Sequence, residues 1–162
     1  MIVADGVLHQ VDSSAGVHYF YWNYTGYTDW LNVEINIRIK PISAAMAGIL
    51  FRFSGTDGYC IRYKNVSTVE FGTYNTTSGF SQISETSYAR ALNVWTNWRV
   101  LNKNNRVILL AGDTPYDLDV IFDTTDNTYN NSGKVGLITF STDADFDDFE
   151  VGTCEMLNNA IK

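Results

Sequence analysis

The sequence is short of the residues that cross-link chains, ligate transition metals or interrupt strands: two cysteines, two histidines and two prolines in 162 residues. Cys60 and Cys154 are too few for a disulfide framework, and they stand either as two separate thiols or as one bridge tying the tail to the sheet. No Cys-x-x-Cys or His-containing zinc spacing exists. Neither His9 nor His18 has around it a motif suited to Ser/His/Asp catalysis. Basic residues are also few, 11 Lys and Arg against 18 Asp and Glu, for a formal net charge of −7. A nucleic-acid footprint needs clustered cations, so that class is set aside. Long apolar runs are missing too. Nothing approaches the ~20 consecutive apolar residues that cross a bilayer, and Met1 to Asp5 lacks the charged and apolar regions of a secretory signal. The expectation is a soluble chain without membrane insertion, whose secretion would have to be directed by sequence outside it.

Aromatic residues are plentiful, 14% of the chain with ten Tyr and four Trp, a mix that favours strands and is unlike disorder. The length suits one domain, residues 1–162, that buries most of its apolar surface, with the tail 152–162 loosely packed. The stretch Gly133 to Val151 holds two apolar runs, Val135 to Phe140 and Phe146 to Val151, joined by an acidic segment. It reads as two strands and a connection, and the acids crowded onto it are placed to hold a cation. The cleanest period-two pattern is Val33 to Ile39, with four β-branched residues on one face and Glu34, Asn36 and Arg38 on the other. Further strands are predicted from Val7 to Val11, Val17 to Trp22, Gly48 to Phe53, Tyr59 to Tyr63, Thr68 to Tyr74, Phe80 to Glu85, Trp98 to Leu101, Val107 to Ala111 and Asp117 to Phe122. A brief helix is allowed at Ser87 to Leu92 or in the C-terminal tail. Around a dozen short strands without a long helical pattern indicate an all-β sandwich or jelly roll.

If Ile49, Phe51 and Phe53 face the core with Tyr59, Ile61 and Tyr63, then Arg52 and Arg62 share the opposite face and join Glu34, Asn36 and Arg38 there. Sugars present hydroxyls to charged and amide groups and ring faces to aromatics, so this set suits a saccharide. Cross-strand Glu–Arg pairs on a wet sheet face, worth ~0.2–1 kcal/mol each, are the competing reading. Trp22, Tyr24, Tyr27 and Trp30 form an aromatic segment suited to a rim, whereas Trp95 and Trp98 suit core or edge packing. Asn-x-Ser/Thr sequons stand at Asn23, Asn65, Asn75 and Asn130 and tilt the setting slightly towards the extracellular.

Several stretches together resemble the concanavalin A-like lectin/glucanase superfamily, particularly its laminin-G-like, fructan-binding and keto-glycoside-hydrolase-related branches. They are the opening Asp5-Gly6-Val7-Leu8, then Ala47 to Phe53 followed by Tyr59, Trp98-Arg99-Val100, and Gly133 to Leu137 leading to Phe146 to Val151. The resemblance spans nearly the whole chain. It implies an antiparallel β-sandwich jelly roll of two curved sheets with a concave face that often binds sugars. It also implies a strand ahead of Asp5-Gly6, which sets the start of this chain slightly inside the natural boundary. In many members a calcium sits near the final strand, which places it here at Asp147 with backbone carbonyls from the N-terminal segment. Asp143, Asp145 and Asp148 are additional ligand candidates, since calcium takes six to eight oxygens. The competing reading has Asp147 capping backbone N–H groups. The Glu-x-Asp-x-x-Glu arrangement of the glucanases is absent, because Glu34, Glu70, Glu85, Glu150 and Glu155 stand in no such spacing.

The sequence therefore reads as a non-catalytic carbohydrate-recognition or adhesion module of an extracellular, cell-surface or virion-surface protein. Its partners would be a glycan or polysaccharide and protein neighbours in a larger assembly. A structural subunit is the second reading. A glycoside hydrolase, with Glu34, Arg52 and Arg62 converging, is the third.

Overall fold

The computed structural model describes residues 2–4, 6–10, 16–21, 30–43, 46–141 and 143–154. Thirteen strands occur among them: β1 (Ile2–Ala4), β2 (Val7–Gln10), β3 (Val17–Tyr21), β4 (Val33–Pro41), β5 (Ala47–Phe53), β6 (Asp57–Asn65), β7 (Thr68–Asn75), β8 (Gly79–Ser87), β9 (Thr96–Lys103), β10 (Arg106–Thr114), β11 (Asp117–Thr125), β12 (Lys134–Phe140) and β13 (Ala144–Thr153). They form two antiparallel sheets, ordered β1-β2-β13-β4-β9-β10-β11 and β3-β12-β5-β6-β7-β8. The fold is an all-β jelly-roll sandwich, as the alternation predicts.

A short strand, β1, precedes Asp5-Gly6 within the chain and pairs with β2. No helix occurs among the described residues. Ser87 closes β8, and residues 88–95 run as a loop tied down by Tyr88 N–H to Ser67 O at 2.9 Å and Asn93 N–H to Pro41 O at 2.9 Å. The predicted loose tail is corrected at its start: Gly152 and Thr153 belong to β13 and Cys154 is buried, while residues 155–162 lie outside the described residues.

Strand β4 shows why the sheets close. Val33, Ile35, Ile37 and Ile39 are buried and alternate with half-buried Glu34, Asn36, Arg38 and Lys40. Burial of each aliphatic side chain contributes about 1.5–3 kcal/mol. They meet Ile49, Phe51, Tyr59, Ile61, Tyr63 and Phe71 from the other sheet. Trp98 belongs to the same core, and its Nε1–H donates to the Tyr63 hydroxyl at 2.8 Å across the two layers.

Alternation fails at one place that matters. Strand β5 is buried along its whole length, and its pairing with β12 slips by one residue between Leu50 and Phe53. Arg52, with φ 48°, sits in this β-bulge. One extra residue reverses the phase, so Phe51 packs in the inter-sheet core while Phe53 joins Leu50, Cys60, Tyr74, Ile138 and Phe140 in a second apolar cluster outside the six-stranded sheet. The expectation that Phe53 faces the core with Phe51 is corrected accordingly. Gly133 lies against the bulge, where a Cβ would come within 2.4 Å of the Arg52 carbonyl carbon. Cys60 belongs to this second cluster and Cys154 to a third, with Leu101 and Ile108, on the seven-stranded sheet. Separated by the sandwich, the two cysteines form no disulfide. Burial pushes the Cys60 thiol up to about 12.

Candidate functional site

The polar side of β4 is the outer face of the seven-stranded sheet, and its neighbours are set by register. Arg38 lies opposite Asp147 on β13 and Asn97 on β9; Asn36 lies opposite Glu150 and Arg99; Lys40 lies opposite Asp145. Residues directly opposite share a face. Between Asp147 and Glu150 the pairing slips, and Asp148 takes φ 49°. This second bulge brings two carboxylates to one guanidinium: Arg38 Nη2 donates to Asp147 Oδ2, and Arg38 Nε lies 2.7 Å from Asp148 Oδ2. Trp95 supports the group from the side, with Arg38 and Lys40 each 5.0 Å from its ring centroid. Arg38 is thus held in one orientation.

Beside it opens a recess of about 300 Å³ lined by Asn36, Arg38, Asn97, Tyr116, Asp148 and Glu150, with Pro115 and Leu118 at its margin. Asn97 Nδ2 donates to Asp113 O at 2.8 Å, anchoring the start of the β10–β11 turn. From that turn Tyr116 projects with 97% of its surface exposed. Glu150 is also exposed. Glu34 lies further along the strand, 2.8 Å from Arg99 Nη2 and accepting from Asn36 Nδ2 at 3.4 Å.

The five residues expected to share one face do not. Glu34, Asn36 and Arg38 stay together, but β5 and β6 belong to the six-stranded sheet, so Arg52 and Arg62 lie across the sandwich. Period-two alternation separates inside from outside; it does not say which of two sheets a strand joins. Arg52 is 3% exposed and donates to the carbonyls of Leu31, Tyr129 and Asn104. Arg62 Nε donates to Glu70 Oε1 at 2.7 Å, with its guanidinium carbon 4.0 Å from the ring centroids of both Phe80 and Phe140. Of the aromatic segment expected at a rim, Trp30 is half-buried against the core and bridges to Gly133; Trp22, Tyr24 and Tyr27 lie outside the described residues.

Of the acids expected to hold calcium, Asp145, Asp147 and Asp148 have their carboxylates engaged by cations. Asp145, 2% exposed, lies 2.6 Å from His9 Nδ1 and 2.5 Å from Lys40 Nζ. Asp147 pairs with Arg38 and also accepts the Asp148 N–H at 2.8 Å, the backbone-capping role that competed with the metal. On the loop, Asp143 donates its N–H to Ser43 Oγ at 2.9 Å, and its carbonyl accepts from Ile42 N–H at 2.9 Å. No group of three His, Cys, Asp or Glu able to hold a metal occurs among the described residues. A calcium at Asp145 and Asp147 would have to displace a lysine and an arginine, so these residues do not fit the ion. Asp5 and residues 11–15, where the N-terminal carbonyls were expected, lie outside the described residues. We expect millimolar calcium or a chelator to leave the melting temperature unchanged within about 1 °C, because only a ligand bound to the native state raises it. A calcium-dependent rise of several degrees in differential scanning calorimetry would restore the metal.

No family model matches the chain, and no curated protein is similar to it in sequence. Solved structures are similar in shape. The carbohydrate-binding module CBM66 from Bacillus subtilis superimposes with a TM-score of 0.72 at 16% identity, over 86% of this chain and 84% of that one. The exoplasmic/lumenal domain of VIP36 in its calcium- and mannose-bound form gives 0.71 at 9% identity, over 99% and 83%. Sheep galectin-11 in complex with glycerol gives 0.59 at 10% identity, over 83% and 96%. The chain has the lectin-type jelly-roll fold. At the candidate recess the residues that sequence reasoning missed are Asn97, Tyr116 and Glu150. Only Tyr116 left a local signal, an aromatic next to a proline in the turn between two predicted strands; the others join the site through long-range pairing. No helix among the described residues is long and apolar enough to cross a membrane.

Proposed function

We propose that this jelly roll is one glycan-recognition module whose saccharide site is the recess beneath Tyr116, with Asn36, Arg38, Asn97, Asp148 and Glu150 as its polar groups. The observation that carries this reading is Tyr116 itself. A tyrosine exposed over 97% of its surface, beside a recess lined by amides, carboxylates and one fixed guanidinium, offers a ring face to a sugar ring and hydrogen bonds to its hydroxyls. Glu34 lies at the far end of the same polar row, next to Asn36 and Arg99. CBM66 being a carbohydrate-binding module and VIP36 binding mannose in the same fold support the reading. The module acts outside the cell or on a cell or virion surface, a setting consistent with exposed sequons at Asn65 and Asn130.

A glycan array followed by calorimetry on the best ligand tests it. Tyr116→Ala is expected to weaken binding about tenfold, ~1.4 kcal/mol, with the fold unchanged because the side chain packs on nothing. Wild-type affinity in that variant would move the site elsewhere. Release of reducing sugar in the same mixtures would turn the reading towards hydrolysis by Asp148 and Glu150. A second reading, assembly with protein neighbours, draws on Val17, Tyr19 and Phe20, which are exposed on the sheet-edge strand β3. A monomer in sedimentation at high concentration would speak against self-assembly.

A further inference from the structure

A second recess, of about 250 Å³, lies away from the Tyr116 face and is lined by Leu31, Arg52, Asn104, Asn105, Asn127 and Asn130. Its charge pattern is unusual for an acidic protein. Arg52 is 3% exposed yet forms no ion pair with a carboxylate among the described residues. Its partners are backbone carbonyls from three connections: Nε and Nη2 donate to Leu31 O at 3.0 and 2.8 Å, Nη1 to Tyr129 O at 2.5 Å, and Nη2 also to Asn104 O. A guanidinium has five N–H donors, and these contacts use four, leaving one on Nη1. Tyr59 supplies no negative charge, because burial pushes its phenol up to about 12. The Asp126 carboxylate accepts the Tyr59 hydroxyl at 2.6 Å and the Thr128 N–H at 2.8 Å, both on Oδ1, and forms no ion pair with Arg52.

Carbonyl dipoles only partly offset a desolvated cation, and burying a charge without a counter-charge is costly. Arg52 also holds a positive φ of 48°, a conformation that proteins keep mainly where the surroundings enforce it; the φ of 54° at Asn104 is ordinary for asparagine in a two-residue hairpin turn. The remaining polar lining is amide, from Asn104, Asn105, Asn127 and Asn130, and no carboxylate lines the recess among the described residues. Asn130 Nδ2 donates one N–H to Asn127 O at 2.8 Å, and a buried cation beside amide side chains that still have N–H groups to offer is complementary to an anion. The net charge of −7 acts against this only at a distance, since exposed charges are screened beyond ~8 Å at physiological salt.

We propose that the Arg52 recess binds a small oxyanion, a carboxylate or sulfate group, either free or carried on an acidic sugar. The site goes beyond the saccharide recess at Tyr116 and does not depend on it.

The test is a titration of the full chain, labelled with nitrogen-15, using sodium acetate, sodium sulfate or sodium glucuronate against sodium chloride at equal ionic strength. Glucose serves as the uncharged control. The side-chain amide signals of Asn105, Asn127 and Asn130 and the Arg52 Nε–H signal are expected to shift saturably with the oxyanions and not with glucose. Equal response to acetate and glucuronate would identify a simple oxyanion site, and tighter glucuronate binding an acidic sugar; both support the proposal. Because replacing Arg52 would release three connections at once, the variant is Asn127→Asp, which puts a carboxylate at the exposed mouth. It is expected to lower oxyanion affinity at least tenfold while the Trp98 indole signal stays in place. Shifts no larger than those in sodium chloride, or undiminished affinity in Asn127→Asp, would overturn the proposal and leave Arg52 as a clasp between loops. Glucose or mannose shifts at Asn36 and Asn97 report the other site separately, so the two readings fail independently.

Discussion

Trp98→Ala is expected to lower the unfolding free energy by about 3–5 kcal/mol, the range for removing a fully buried tryptophan. The side chain is 1% exposed. It lies beside Ile37 on β4 and reaches across the sandwich to Tyr63 on β6, ring centroids 4.6 Å apart. Truncation opens a cavity between the sheets and removes the donor that meets the buried Tyr63 hydroxyl at 2.8 Å. Trp98→Phe keeps most of the volume and loses that donor while Tyr63 keeps Thr96 and Arg90 as partners, so its cost should be near the ~0.5–1.5 kcal/mol of one hydrogen bond. Urea unfolding followed by tyrosine fluorescence and circular dichroism measures both. A loss below about 1.5 kcal/mol in Trp98→Ala would mean that the sheets repack and that this contact does not organise the core.

The other large effect concerns Arg62 and Glu70. The pair sits on the outer side of the six-stranded sheet, yet only 12% of the arginine side chain and 3% of the glutamate side chain are exposed. Phe80 and Phe140 lie within 4.0 Å of the guanidinium, measured from its carbon to each ring centroid. Glu70→Gln leaves a buried cation without its counter-charge and is expected to cost about 3–5 kcal/mol. Replacing both, Arg62→Met with Glu70→Leu, removes the desolvation penalty together with the attraction and should come close to wild-type stability. The double-mutant cycle distinguishes this from a surface pair, for which each single change would cost under about 1 kcal/mol.

How much of this could be read beforehand depends on the range of the interaction. Val33 to Ile39 was legible because a strand with one buried face writes its period into seven consecutive letters. The polar side of that strand, Glu34, Asn36 and Arg38, followed at once. Arg52 and Arg62 were placed wrongly for two different reasons. For Arg62 the alternation was right and the sheet was wrong. For Arg52 the bulge at φ 48° swung the side chain onto three backbone carbonyls, and nothing in Phe51-Arg52-Phe53 marks a bulge. The acids of the closing segment looked like a metal site because their neighbours in sequence are acids; their neighbours in space are His9, Arg38 and Lys40.

The order of letters alone determined an all-β chain, the place of nearly every strand and the sidedness of those that alternate without a bulge, such as Val33 to Ile39, since these are local matters of period and turn chemistry. Only the packed molecule decided which strands share a sheet, where a single inserted residue reverses a face, and that the ring of Tyr116 overhangs residues eighty positions or so earlier. Those outcomes depend on hydrogen-bonded pairing between distant segments, and that energy has no signature in any one of them.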